Sequence, residues 1–392
     1  MSLHITDQEQ LSIIQLADFI LDRAIEQCAS DIHLESTESG LRVRYRVDGI
    51  LYDQQVIGKG SMQQLLSRLK VLARIDITER RVPQDGKFRV VRDNHEIDLR
   101  VSTFPSIYGE KIVIRILDRM HNNIRLEQLG FDGAMLNVFK SLIHRSSGLF
   151  LVTGQTGSGK TTTLYAALAE INATEKNIIT LEDPVEYSVD GITQGQIHPE
   201  AGFTFEKGMR ALLRQDPDII MVGEIRDKQT GRIAIEAALT GHLVFSTLHT
   251  NDAPGAIMRL MDMGIEPFLL NAAITGVLAQ RLARKICKEC RIPAEVTQAE
   301  RIVLDRCNIN PSQVFIGKGC KTCFNLGYKG RTGIFELLQM TSELRGLIVS
   351  NPMFDAIYNQ AHADGMMTFF GDAQKKLEAG VISVPELVRI LS

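Results

Sequence analysis

No hydrophobic run in this 392-residue sequence approaches the roughly 18 residues that a membrane-spanning helix requires. The N-terminal segment MSLHITDQEQ lacks the basic start and apolar stretch of a signal peptide. There is no large charge excess either: 44 Lys and Arg stand against 47 Asp and Glu, a formal net charge of −3, so no basic field points to nucleic acid. No internal repeat or low-complexity tract is present, which excludes a repeat array or a disordered tract. These absences leave a cytosolic protein as the expectation, able to dock on a membrane through a partner. The 44% apolar and 23% charged content fits a soluble globular chain of two or three domains, long enough to bury a core without staples.

Residues 1–118 read as an N-terminal α+β (PAS-like) module. Ile13, Leu16, Ala17, Ile20, Ala24 and Cys28 form one helical stripe, with Asp7 and Gln10 placed to cap it. In LRVRYRVDGILYD, Leu41, Val43, Tyr45 and Val47 alternate with Arg42, Arg44, Arg46 and Asp48, a half-buried strand leading to an Asp48-Gly49 hairpin turn. QQLLSRLKVLARI reads as helix, and residues 87–117 as two or three more strands. The polar, aperiodic stretch over 119–131 reads as a linker. Over 132–392, the short apolar strands GLFLVTG, NIITLED, DIIMVGE and HLVFSTL alternate with helical stretches. This predicts an α/β P-loop NTPase fold, a RecA-like core with a mostly parallel, helix-covered sheet. Residues 285–333 turn rich in Gly, Cys and Lys, and 341–392 read as helices.

GQTGSGKTT fits GxxxxGK[ST] through Gly154, Gly159, Lys160 and Thr161, and it lies between an apolar strand and a helix. Backbone N–H groups over Gly154, Gln155, Thr156, Gly157, Ser158, Gly159, Lys160, Thr161 and Thr162 can curl around phosphates at the positive end of that helix. Lys160 is expected to reach the β- and γ-phosphates of ATP, and Thr161 to bind Mg²⁺. A second strand ends in Glu182, Asp183 and Glu186, three carboxylates at the sheet edge where ligands gather in open α/β sheets. The apolar run DIIMV is followed by Gly223 where such enzymes usually place an aspartate, and only then by Glu224. His242 and His249 flank a third strand, where they are expected to sense the γ-phosphate or bridge to a neighbouring subunit. Finally, Cys287 and Cys290, with Cys320 and Cys323, form CxxC–x29–CxxC, four thiolates suited to a closed, structural, tetrahedral Zn²⁺ site.

Taken in order, ASDIHLE, VRYRVDG, RRVPQDGKF, LRVSTFPSIYGEKIVIRIL, the phosphate loop, EDPVE, DIIMVGEIRD and the histidine box resemble the secretion ATPase superfamily that powers type II secretion and type IV pili. The resemblance covers nearly the whole chain. It implies a homohexameric ATPase that drives pseudopilus or pilus assembly and protein export, peripheral to the inner membrane through a platform protein. It implies Glu186 as general base, Glu224 as the acid on Mg²⁺ with Glu182 and Asp183 in support, and Arg100 and Arg115 as charge stabilisers for the γ-phosphate. The four-cysteine element implies assembly rather than retraction. Longer members carry a further N-terminal domain that grips the platform, and this chain begins almost directly at the second module. A retraction or DNA-uptake motor is the nearer alternative. A nucleic-acid translocase is the farther one, and the mild acidity argues against it.

Overall fold

A computed structural model describes residues 11–92, 94–118, 124–350 and 353–391. The chain divides into two compact units, Met1–Asn123 and Ile124–Ser392.

The first unit runs α1 (Ile13–Glu26), β1 (Ala29–Thr37), β2 (Gly40–Val47), β3 (Ile50–Ile57), α2 (Lys59–Leu72), β4 (Gln84–Arg92), β5 (His95–Ser106) and β6 (Gly109–Asp118). The six strands form one antiparallel sheet in the order β3-β2-β1-β6-β5-β4. Leu41, Val43, Tyr45 and Val47 are buried, as the alternation requires. Asp48 and Gly49 both take positive φ, 48° and 88°, the backbone of a tight hairpin turn whose twist suits antiparallel strands. The start of α1 differs from expectation. Ser12 caps it, in a reciprocal capping box with Gln15, while Asp7 and Gln10 lie outside the described residues. Leu16, Ala17, Ile20 and Ala24 are buried on the stripe, but Cys28 has left it. Its φ of 54° follows the helix end, and its side chain is exposed.

The second unit contains α3 (Gly133–Ile143), β7 (Gly148–Thr153), α4 (Lys160–Ile171), β8 (Ile178–Glu182), β9 (Thr193–Gln196), α5 (Phe205–Leu212), β10 (Ile219–Val222), α6 (Lys228–Leu239) and β11 (Leu243–Leu248). Then follow α7 (Ala253–Asp262), α8 (Pro267–Ala273), β12 (Ile274–Ile286), β13 (Arg291–Ala294), α9 (Gln298–Arg306), β14 (Val314–Gly317) and β15 (Tyr328–Gln339). Four helices close the chain: α10 (Ser342–Ser350), α11 (Phe354–Ala363), α12 (Phe369–Glu378) and α13 (Val384–Leu391). The main sheet has the order β15-β12-β7-β11-β10-β8-β9. Every neighbouring pair is parallel except β12–β15, an antiparallel edge. Alternate residues feed opposite faces. Leu149, Leu151, Ile220, Val222 and Val244 enter one core, and Phe150, Val152, Ile219, Met221 and Phe245 the other. Strands buried on both faces have no polar alternation, hence the near-continuous apolar runs.

The stretch expected to be a linker divides. Residues 119–123 lie outside the described residues, whereas 124–131 belong to the second unit's core: Leu126 is buried, and the Phe131 ring stacks on Phe139 and Phe335. Isolated anchors of this kind dock individually and leave no periodic signature.

Candidate nucleotide site and cysteine cluster

The phosphate loop leaves the carboxyl end of β7 and enters α4. Gly154, Gly157 and Gly159 hold φ of 146°, 79° and 88°. At Gly154 a Cβ would also lie 2.4 Å from the Gln280 carbonyl oxygen, so both φ and space demand glycine there. Ser158 is buried and its Oγ has no hydrogen-bond partner among the described residues, while Gln155, Thr156 and Gly157 are exposed around the turn. Thr161 and Thr162 sit half-buried in the first turn of α4. The Lys160 ammonium donates to the carbonyls of Gly154, at 2.7 Å, and Gln155, at 3.1 Å, folding back over the loop. Burial lowers its pKa, and the nearby Glu224 carboxylate opposes that shift. A glycine-lined turn at a helix N-terminus with a buried lysine fits a phosphate chain.

Gly223 follows β10, beside the end of β8. Its N–H donates to the Leu181 carbonyl at 2.8 Å, and a Cβ there would meet that same oxygen at 3.3 Å and Glu182 Cα at 3.4 Å. Thr247 Oγ1 donates to the Gly223 carbonyl at 2.7 Å, and the Ile225 N–H to the Thr247 carbonyl at 3.1 Å. The backbone is thus held from both sides, and the first acidic side chain beyond the strand is Glu224. Its carboxylate pairs with Arg226 and lies 3.6 Å from His249 Nε2. Arg226 reaches Asp183 at 3.9 Å. Burial, then the Lys160 charge, lowers the His249 pKa. Lys160, Glu224, His249, Arg226 and Asp183 therefore form one polar cluster at the carboxyl edge of the sheet.

Three expected residues stand elsewhere. Glu182 is buried and engaged: Thr180 Oγ1 donates to it at 2.6 Å, Gln194 Nε2 at 3.2 Å, and the Tyr165 hydroxyl also donates. Its carboxylate braces the sheet edge instead of opening toward a ligand. Glu186 is exposed on the loop after β8, with no ion pair to the cluster among the described residues. His242 precedes β11 at the opposite edge of the sheet, its Nδ1 2.9 Å from the Ala237 carbonyl at the end of α6. A strand separates it from the phosphate loop, so it cannot share the cluster with His249. Arg100 and Arg115 lie directly opposite one another on β5 and β6 in the first unit.

Sequence reasoning missed Gln280 on β12. Fully buried, it donates through Nε2 to the Ser158 carbonyl at 2.6 Å and accepts from Thr163 Oγ1 at 2.8 Å, tying loop and helix to the sheet. Thr153 likewise ties the end of β7 to the histidine loop through Thr250, with their hydroxyls 2.8 Å apart.

The four cysteine sulfurs lie within 4.8 Å of one another, with Cys287–Cys320 at 3.8 Å, Cys290–Cys323 at 3.9 Å and Cys320–Cys323 at 3.7 Å. Zn–S bonds of about 2.3 Å in a tetrahedron require sulfurs about 3.8 Å apart. The Cys320 and Gly327 N–H groups donate to Cys323 Sγ at 3.2 and 3.3 Å, a stabilising surround for a thiolate. The cluster could hold Zn²⁺ with no open position.

The family profile for Type II/IV secretion system proteins matches residues 6–389. The chain belongs to this family. The type II secretion system ATPase E of Vibrio cholerae is 45% identical over 383 residues, spanning 98% of this chain and 76% of that protein. The type IV pilus assembly ATPase PilB of Myxococcus xanthus is 43% identical, spanning 96% and 67%. Among solved structures, the Legionella pneumophila ATPase DotB shares the fold, with a TM-score of 0.71 at 21% identity over 97% of this chain and 96% of that one. The pilus retraction motor PilT, solved with bound ADP, gives 0.57 at 27% identity over 91% and 95%. The relatives make this chain a secretion or pilus-assembly ATPase of the family. No helix among the described residues is long and apolar enough to cross a membrane.

Proposed function

We propose that this chain hydrolyses ATP as one subunit of a homohexameric motor, coupling turnover to pseudopilus or pilus assembly and to protein export. Its attachment to the inner membrane would run through a platform protein. The observation that carries the reading is a glycine loop at the N-terminus of α4 with Lys160 folded back over it, at the carboxyl edge of a parallel sheet that also presents Glu224. Lys160 exchanges the Gly154 and Gln155 carbonyls for the β- and γ-phosphates. Thr161 and Glu224 are the residues that would hold Mg²⁺, which would supply charge neutralisation to the phosphates. Glu186 is the candidate general base that orients the attacking water, and His249, 3.6 Å from Glu224, senses the γ-phosphate or bridges to a neighbouring subunit. Arg100 and Arg115 are charge stabilisers for the γ-phosphate; guanidinium forks suit a group whose charge spreads over its oxygens. The cysteine cluster takes structural zinc, and by family resemblance it favours assembly over retraction.

Separate measurements of ATP binding and turnover in E224Q and E186Q test these assignments. Both should bind nucleotide and hydrolyse it at least a hundredfold more slowly. Normal turnover in E186Q would remove it as base, and normal turnover in E224Q would remove the site altogether.

A further inference from the structure

One face of the first unit's sheet carries a grid of charges, and its ion pairs are nearly complete. Arg89 pairs with Asp98, Arg44 and Lys111 with Glu35, and Arg42 with Asp53. One cross-strand row breaks this pattern. The registers align Arg46 with Asp31, Asp31 with Arg115, Arg115 with Arg100, and Arg100 with Lys87. Asp31 serves the near end: Arg115 Nε lies 3.2 Å and Arg46 Nε 3.6 Å from its carboxylate. Among the described residues, Arg100 and Lys87 are in no ion pair, and both side chains are exposed.

Neighbouring strands lie about 4.8 Å apart, so Arg115, Arg100 and Lys87 set three cations within about 10 Å. Like charges placed directly opposite repel. A cavity of about 820 Å³ opens over this row, lined also by Arg74, at the end of α2, and by Asp85. Asp31 serves the Arg115 end of the row, which leaves Arg100 and Lys87, directly opposite one another, as its two cations without a carboxylate among the described residues.

We infer that Lys87 is a third phosphate-binding residue, aligned with Arg100 and Arg115 to receive the phosphate chain of a nucleoside triphosphate. The inference rests on the reading of Arg100 and Arg115 given above and adds a residue to it. Asp31, between Arg115 and Arg46, is a positioning residue that aims the Arg115 fork.

The test uses the full chain with K87A, K87R and R100A, each checked for unchanged thermal unfolding. ATP turnover is measured across ionic strength. Binding of inorganic triphosphate is measured by calorimetry in a K160A background. K87A should lower kcat/KM for ATP about tenfold, the scale of one charge-assisted hydrogen bond, and flatten its salt dependence. It should weaken triphosphate binding by a similar factor, with K87R restoring most of both. Wild-type behaviour of K87A beside a crippled R100A would overturn the role of Lys87 and leave the arginine reading intact. Equal losses in K87A and K87R would also overturn it, since a charge contact tolerates the retained charge. Wild-type turnover in R100A would instead remove the arginine reading on which the inference stands.

Discussion

Gln280→Ala tests whether the phosphate loop is held from beneath by β12. The wild-type side chain makes two buried hydrogen bonds, 2.6 Å to the Ser158 carbonyl and 2.8 Å from the Thr163 hydroxyl. Truncation removes both, at about 1 kcal/mol each, and leaves a buried carbonyl and hydroxyl unsatisfied beside a small cavity, so the total loss should be about 3 kcal/mol. Gly159 would meet a Cβ contact at 3.2 Å from Gln280 Nε2, which shows how closely the amide supports the turn. Loosening that turn should weaken ATP binding about tenfold, or about 1.4 kcal/mol. Chemical denaturation and a fluorescent-nucleotide titration measure the two effects. Gln280→Glu separates packing from polarity: it keeps the acceptor for Thr163 but turns a carboxylate oxygen toward the Ser158 carbonyl and the phosphates, so it should bind ATP more weakly than Q280A. A Q280A protein with wild-type unfolding midpoint and ATP affinity would refute the brace.

Three further outcomes are expected. Removing metal, or C287S, should raise hydrogen exchange in β13 and β14 while β7 and α4 stay protected, because Cys287 and Cys290 lead into β13 and Cys320 and Cys323 follow β14; unchanged exchange would mean that packing alone holds the element. Burial pushes the Glu336 carboxyl up to about 7, so the folded chain keeps a proton that the unfolded chain, near 4.5, releases. Stability should fall as pH rises through that window, by at most about 3 kcal/mol, and E336Q, whose amide oxygen can still accept the Ala253 N–H bond of 2.8 Å, should flatten the slope in a pH series of melting temperatures. Gly223→Asp, which restores the commoner acid, should destabilise by about 1–2 kcal/mol through contact with β8 and leave turnover no higher; a more active variant would show that the strand gap can open.

Local chemistry was legible wherever it was written in consecutive residues. The glycine loop, the alternation from Leu41 to Val47 and the two CxxC pairs each carry their geometry in their spacing. The separation of Arg100 and Arg115 also encoded a contact, because a hairpin converts equal distances from its turn into direct opposition. What depended on distant partners was hidden. Gln280 reads as one polar residue in an irregular apolar run, and only the passage of β12 beside β7 makes it a brace. His242 and His249 look equivalent at the two ends of one strand, yet a strand has a polarity, and only its carboxyl end meets the phosphate loop. Glu182 resembles its acidic neighbours until Tyr165, seventeen positions before it, claims its carboxylate.

Backbone anchoring also separates the two candidate acids. Glu224 follows a backbone pinned by β8 on one side and β11 on the other, and its side chain is mostly shielded. A carboxylate that cannot wander suits a cation whose position is set by the phosphates. Glu186 projects from a loop tied at Val185 to Gln196 at 3.3 Å and at Val189 to Gln194 at 2.8 Å, with its own side chain exposed between those ties. Such a group suits a water that must be approached only when nucleotide is present. The two substitutions should therefore differ in metal dependence and not in rate alone. E224Q should raise the Mg²⁺ concentration needed for half-maximal ATP binding severalfold, because one anionic partner of the cation is gone. E186Q should leave that concentration unchanged while turnover collapses. Titrating Mg²⁺ at fixed nucleotide in both variants decides the matter, and a shifted Mg²⁺ midpoint in E186Q alone would reverse the two assignments.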